Sequence, residues 1–241
     1  MKITDHRTKP TLTEERRLAR DGYRLIAGLD EVGRGCLAGP VVASAIILPL
    51  GCRQPWLQEV KDSKFLSPAK RDYLYDKLLS IATACGTGIV SPTEIDAVGI
   101  ARAVRLAMQQ ALARLTPAAD SLLIDHFTLP ESNLPQWGVP NGDSLCRSIA
   151  CASIIAKVTR DRLMVELDQD YPGYGLARHK GYATRAHYDA LAQLGLSPLH
   201  RRTFCKSVVL PACQDKTCTQ DSLLRCSRVM PANDTNFGVT L

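Results

Sequence analysis

The stretch LIAGLDEVGRGCLAGP, residues 25–40, sets two adjacent carboxylates, Asp30 and Glu31, at the end of an apolar run and follows them with an arginine between two glycines. Leu25, Ile26, Ala27, Gly28 and Leu29 read as a buried strand. Its end therefore holds charged groups on rigid backbone at the mouth of a sheet. Consecutive strand residues point to opposite faces, so the pair need not grip one ion symmetrically. One carboxylate can face a site while the other reaches it from the strand's end or through water. Gly33, Arg34 and Gly35 then predict a turn of little bulk, where backbone amides can closely approach a ligand's oxygen atoms. A second apolar run, VVASAIIL at residues 41–48, follows LAGP after so short a connection that antiparallel neighbours are expected. An isolated Asp-Glu pair is ordinarily a solvated loop. The strand before it, the glycine-flanked arginine after it and the strand that follows argue for a site.

Around this stretch, 241 residues of which 45% are hydrophobic can bury the core of one domain. A net charge of +6 and a pI near 8.9 are compatible with a polyanionic partner, although many basic proteins bind no nucleic acid. Nine cysteines do not imply disulfides here, because Cys36, Cys85, Cys146 and Cys151 lie in apolar or motif segments at no regular spacing, with no secretory leader. They read as reduced thiols. Cys213, Cys218 and Cys226 lack the CxxC spacing and histidines of a zinc site. No apolar run is long enough to cross a bilayer, so no membrane association and a cytoplasmic location are expected.

Taken in order, residues 1–21 read as an N-terminal extension with a short helix at 13–20, residues 22–210 as the catalytic domain, and residues 211–241 as a polar, aperiodic, disordered tail. Strands are expected at 23–31, 41–48, 84–90 and 121–124. Ser67 and Pro68 form an N-cap and first-turn pair for a helix running through 75–81. Another helix, at 100–115, places Val104, Met108, Ala111 and Leu115 on one face. The strand at 121–124 delivers Asp125 at its end, where open sheets place functional groups. His126 is a satisfied loop residue or a neighbour of the acids. A proline-rich loop at 128–142 leads to Asp143, which suits the N-cap of a long apolar helix. Small residues in that helix, Ala150, Ala152, Ser153 and Ala156, allow close packing on the sheet, and Lys157, Arg160 and Asp161 read as structural ion pairs. Beyond Tyr171, the tyrosines 174, 182 and 188 are interleaved with Arg178, His179, Lys180 and Arg185, a combination that fits phosphate neutralisation and stacking. Tyr188 reads as a core residue of its helix. Arg201 and Arg202 add basic charge.

The segment DEVGRGCLAGPV resembles the signature of the prokaryotic ribonuclease HII family, the type 2 ribonucleases H, which cut RNA within duplexes containing DNA. The family's other blocks follow in order as KDSKFLS (61–67), IDHF (124–127), GDSLCRSIACASIIAKVTRD (142–161), HKGYAT (179–184) and SPLHRRTF (197–204). The resemblance covers roughly residues 22–208. It implies an α/β ribonuclease H-like fold, a mixed five-stranded sheet flanked by helices with a small helical C-terminal part. It further implies hydrolysis of the RNA strand of RNA–DNA hybrids and cutting 5′ of single ribonucleotides embedded in a DNA duplex, giving 5′-phosphate and 3′-hydroxyl ends.

Asp30, Glu31, Asp125 and Asp143 are then the catalytic, metal-binding acids. Four carboxylates brought together without a cation would repel one another, and oxygen-only ligands favour Mg2+ or Mn2+ over zinc. Two such ions about 4 Å apart suit an in-line displacement. By the same resemblance Gly33, Arg34, Gly35, Lys64 and Tyr182 bind substrate, the first three reading the 2′-hydroxyl and Tyr182 packing on the sugar at the junction. Asp62 and Ser63 share the loop of Lys64 at the edge of the nucleic-acid groove. The protein is expected to act as a monomer. Two positions depart from the family pattern: Gly99 stands where an asparagine is usual, and His126 where a glycine commonly follows the aspartate. A type 1 ribonuclease H or a junction resolvase would share the acids but lack GRG together with HKGYAT. A non-catalytic nucleic-acid-binding protein would not need all four acids.

Overall fold

Thr13–Arg20 forms the first helix, α1, and Ile26–Val32 the strand β1 that carries Asp30 and Glu31. The computed structural model describes residues 9–206. In chain order there follow β2 (Val41–Ile47), α2 (Pro68–Ile81), β3 (Ala84–Val90), α3 (Pro92–Val98), α4 (Ile100–Ala113), β4 (Ser121–Asp125) and β5 (Gln136–Val139). The chain ends in α5 (Gly142–Leu145), α6 (Arg147–Asp170), α7 (Leu176–His179) and α8 (Arg185–Leu194). The five strands make one mixed sheet in the order β3-β2-β1-β4-β5. β1 pairs antiparallel with β2, as its short connection requires, and parallel with β4. The ends of β1 and β4 therefore point the same way, and Asp30, Glu31 and Asp125 emerge at one edge of the sheet.

Alternation along β1 sorts the two faces. Ala27 and Leu29 join Ala43 and Ala45 of β2 in a core closed by Ala103, Val104, Ala107, Met108 and Ala111 of α4. Gly28 faces α6 instead, so closely that a Cβ there would stand 2.3 Å from the Ser148 carbonyl carbon. Asp30, two residues on, shares that face. The run of Ala150, Cys151 and Ala152 is fully buried and lets α6 lie low on the strands, with Ile46, Leu74 and Leu78 completing a second core. Each large aliphatic side chain so buried contributes on the order of 2 kcal/mol. A separate cluster of Leu37, Met164, Leu167, Leu176, Leu191 and Leu199 joins α7, α8 and the end of α6 into the small helical C-terminal part.

Three elements differ from expectation. The segment SPTEIDAVG contains α3, started by a reciprocal capping box between Ser91 and Glu94. Gly99, at φ +79, separates α3 from α4. The proline-rich loop contains β5, a four-residue edge strand parallel to β4. The long helix begins at Arg147 with Cys146 as its N-cap, so Asp143 lies in the four-residue α5 and is not the cap. Tyr188 is exposed on α8 and does not join a core.

Cys36, Cys52, Cys85, Cys146, Cys151 and Cys205 are free thiols, while Cys213, Cys218 and Cys226 lie outside the described residues, as does the tail at 211–241. Among the described residues no helix is long and apolar enough to cross a membrane.

Candidate active site

The four acids come from three places on the scaffold. β1 supplies Asp30 and Glu31, β4 supplies Asp125, and α5 supplies Asp143. Asp125 is tied to α5 by its Oδ1, which accepts the Gly142 N–H at 2.7 Å. A Cβ at Gly142 would meet the end of the Ile149 side chain at 2.5 Å, so a larger residue would have to displace it. Asn141, at φ +56, turns the chain into this contact. Asp30 is 6% exposed, and its Oδ1 accepts the N–H of Glu31 at 2.7 Å. Ser153 of α6 also lies beside it and is itself bonded through Oγ to Ser63 Oγ at 2.8 Å.

The electrostatics are those of acids held together against their repulsion. Burial first, then the Glu31 and Asp125 carboxylates, push Asp30 well above the usual carboxylate range. Burial also raises Glu31, while the Arg34 guanidinium, 3.7 Å from Glu31 Oε1, pulls the other way. Asp125 is raised by burial and by Asp143. A second cation, Lys64, stands with its Nζ 3.5 Å from Asp143 Oδ2 and 3.8 Å from Asp62 Oδ2. Burial disfavours that ammonium, but Asp62, Asp143 and Asp30 outweigh it and raise its pKa. Asp62 also caps the short 3-10 turn Ser63–Phe65 by accepting the Lys64 N–H at 3.0 Å, which fixes the backbone from which the exposed lysine reaches Asp143.

This donor set fits a hard divalent cation. It offers oxygens only, and Glu31 Oε2 is buried with no hydrogen-bond partner. Among the described residues no three His, Cys, Asp or Glu side chains are drawn into a closed cage for an ion. The acids stand as an open cluster in which Asp30, Glu31 and Asp125 are each pushed upward by burial and by a neighbouring carboxylate.

The GRGCLAGP and HKGYAT segments form the adjoining wall. Gly33, at φ +89, is buried, whereas Arg34 and Gly35 are exposed, and nothing lies within 4 Å of where a Gly35 Cβ would be. The loop is joined to HKGYAT through the Gly181 carbonyl, which accepts the Leu37 N–H at 2.9 Å and the Ala38 N–H at 3.3 Å. Tyr182 follows at once, 38% exposed, with Lys157 Nζ 5.5 Å and the Arg160 guanidinium 5.8 Å from its ring centroid. Burial, with the Cys36 thiol beside it, raises the Tyr182 phenol. From Tyr182 an open groove of about 530 Å³ runs past Lys157, Arg71, Arg162, Arg178 and Lys180.

Two arginines hold this wall from inside. Arg160 donates to the carbonyls of Pro40 (2.8 Å), Lys180 (2.8 Å) and Ala38 (3.1 Å). Arg201 donates to those of Gly33 (2.7 Å), Arg34 (3.0 Å) and Gly39 (2.9 Å). Both are 0% exposed, so Arg201 is not the surface charge expected of it, and among the described residues Arg160 makes no ion pair. Lys157 and Asp161 do pair, at 2.8 Å. Three histidines complete the support. The His187 Nδ1–H donates to the Tyr182 carbonyl at 2.9 Å, its Nε2 meets His200 Nε2 at 3.0 Å, and its ring stacks on His179 at 4.2 Å. His126 is exposed at φ +69, a left-handed backbone that a glycine would adopt without strain.

Comparison with known proteins gives one consistent result. A family profile described as Ribonuclease HII matches residues 27–207. A Ribonuclease HII of Dehalococcoides mccartyi is 57% identical over 195 residues, 81% of this chain and 92% of that protein. Among solved structures, the ribonuclease H2 of Pyrococcus horikoshii superposes with a TM-score of 0.62 at 27% identity, covering 76% of this chain and 96% of that one. The ribonuclease HII of Archaeoglobus fulgidus, solved in complex with PCNA, gives 0.62 at 26% identity over 77% of this chain and 95% of that one.

Proposed function

Since the chain belongs to the ribonuclease HII family, and is thus a type 2 ribonuclease H that cuts the RNA strand of RNA–DNA hybrids, we propose that it also cuts duplex DNA 5′ of a single embedded ribonucleotide. Asp30, Glu31, Asp125 and Asp143 hold its divalent metal, and the products carry 5′-phosphate and 3′-hydroxyl ends. The observation that carries this reading is the direct bonding of the GRGCLAGP loop to HKGYAT through Gly181, which sets the two recognition segments side by side next to the acids.

When bound, a pair of Mg2+ or Mn2+ ions would supply an activated water and stabilise the leaving 3′ oxygen of an in-line displacement. The protein does the rest. The open backbone of Arg34 and Gly35 meets the 2′-hydroxyl, which both donates and accepts and so separates RNA from DNA at that position. Tyr182 packs on the next sugar, fixing the register between the junction and the acids. Lys64 partly neutralises Asp143 until substrate and metal share that charge. The groove of Arg71, Lys157, Arg162, Arg178 and Lys180 draws in the phosphate backbone. In this reading the protein acts as a monomer in the cytoplasm.

The test is a labelled DNA duplex with one internal ribonucleotide, incubated with Mg2+ or Mn2+. A single cut on its 5′ side is expected. Tyr182→Phe keeps the stacking ring and should be mild, while Tyr182→Ala should be severe, since stacking is worth about 1–3 kcal/mol. A requirement for a run of several ribonucleotides would overturn the reading.

A further inference from the structure

The helix α6 carries Ser153 and follows directly on Asp143, yet its own N-terminus has no side-chain cap. The cap comes from α1, which precedes the residues that match the family. Glu15 is 3% exposed, and its Oε1 accepts the N–H of Ser148 at 2.8 Å, across 133 residues of sequence. Ser148 is the residue whose backbone lies against Gly28 of β1. The first turn of α6 is thus fixed from above by a carboxylate and from below by the strand that bears Asp30.

The chain just before Glu15 ties the same joint three more times. The Thr11 N–H donates to the Leu145 carbonyl at 2.9 Å, and the Arg147 N–H to the Thr11 carbonyl at 2.9 Å. The Arg147 side chain reaches the Pro10 carbonyl at 2.8 Å through Nε and also bonds the Leu57 carbonyl. Leu145, Cys146 and Arg147 are the elbow between α5 and α6. Among the described residues Glu15 makes no salt bridge; its carboxylate is favoured by the helix N-terminus, where backbone N–H groups and the aligned peptide dipoles suit an anion, and by the Arg147 guanidinium.

We infer that Glu15 is a positioning residue for the active site, holding the α5–α6 elbow and through it Asp143 opposite Asp30 and Asp125. The inference rests on the proposed metal-binding role of those acids. It goes beyond that role in assigning α1 a part in catalysis. Groups that orient a metal's ligands without touching the metal typically affect metal affinity or activity about 10- to 100-fold.

Three variants, Glu15→Ala, Glu15→Gln and Glu15→Asp, separate positioning from simple stability, with kcat and KM measured on an RNA–DNA hybrid, Mn2+ affinity by calorimetry, and the melting temperature. Glu15→Ala should lower kcat and Mn2+ affinity at least about 10-fold with little change in KM. Glu15→Gln keeps an accepting oxygen at the same reach and should recover most of both. Should Glu15→Ala fail to fold, Glu15→Asp carries the comparison, since its shorter reach should cost kcat and Mn2+ affinity where Gln does not. A melting temperature that falls while kcat and Mn2+ affinity stay at wild-type values would overturn the inference, as would Gln behaving like Ala. A wild-type protein that bound Mn2+ but cut no hybrid would instead defeat the proposed function, leaving the calorimetric comparison to judge Glu15.

Discussion

Mild acid should unfasten the wall that holds Tyr182, and His200 sets the size of the effect. Its Nδ1 accepts the Ser197 N–H at 3.0 Å and faces the Ser197 hydroxyl at 2.9 Å, so its proton sits on Nε2 and points to His187 Nε2. His187 then carries its own proton on Nδ1, toward the Tyr182 carbonyl. His179 is fixed likewise, since its Nδ1 accepts the Gly181 N–H at 3.2 Å and its Nε2 faces the Tyr174 carbonyl at 2.7 Å. A further proton on His200 would set N–H against N–H. Burial, with His187 beside it, accordingly lowers the His200 pKa from 6.5 to about 4, and burial lowers His187 too. The folded form binds fewer protons than the unfolded chain between those values. The stabilisation is therefore fully present above pH 6.5 and is lost as pH falls toward 4. Between pH 7 and pH 5 the loss from His200 alone is about 2 kcal/mol. Asp30, Glu31, Asp125 and Glu15, whose pKa values are raised, work in the opposite direction. The histidine part is isolated by subtracting the profile of His200→Gln, measured by urea unfolding at each pH, from that of wild type. A difference that shrinks by about 2 kcal/mol from pH 7 to pH 5 is expected. A difference constant with pH would refute the reasoning about the neutral cluster.

Asp30→Asn and Asp125→Asn should each abolish metal-dependent cleavage while leaving the melting temperature equal or higher, because they remove a charge held against burial and repulsion. Near-normal turnover in either would remove that residue from the metal site. Arg201→Ala strands the carbonyls of Gly33, Arg34 and Gly39 and should cost at least about 3 kcal/mol in chemical denaturation, with loss of hybrid cutting. Lysine should not rescue it, since one ammonium cannot span three carbonyls. Gly28→Ala drives a Cβ into Ser148 and should destabilise by about 1–3 kcal/mol, read by thermal melting.

Much of the architecture was legible because the deciding signals are local. The apolar runs ending in Asp30 and Asp125 place three acids at strand ends, and Ser67-Pro68 starts α2 as such a pair should. The misses have physical causes. β5 is four residues at a sheet edge, too short for an alternation to register, and it exists because β4 offers it partners. α3 carried its own sign in Ser91 and Glu94, three apart, but its brevity hid it. Asp143 had the chemistry of an N-cap, and what moved it off the cap is the left-handed Asn141 together with the Gly142 bond to Asp125, a contact across 17 residues. Charge misled most at Arg201, because pattern cannot show whether a guanidinium meets phosphate or carbonyl. Nothing near Glu15 in the sequence points to Ser148.

The reach of Arg201 across the chain has a consequence for biosynthesis. Its partners, Gly33 and Gly39, lie 168 and 162 residues earlier. A growing chain displays DEVGRGCLAGP early, with two of the acids on a hairpin that can already pair, but the loop between the hairpin's strands is closed only in stages, by Arg160, then by the Gly181 carbonyl, and last by Arg201. Long-range closures of this kind come late in folding. The nascent protein therefore passes most of its synthesis with its acidic strand formed and its GRGCLAGP loop not yet fully fixed, and the loop's last support arrives only near the end of the described chain.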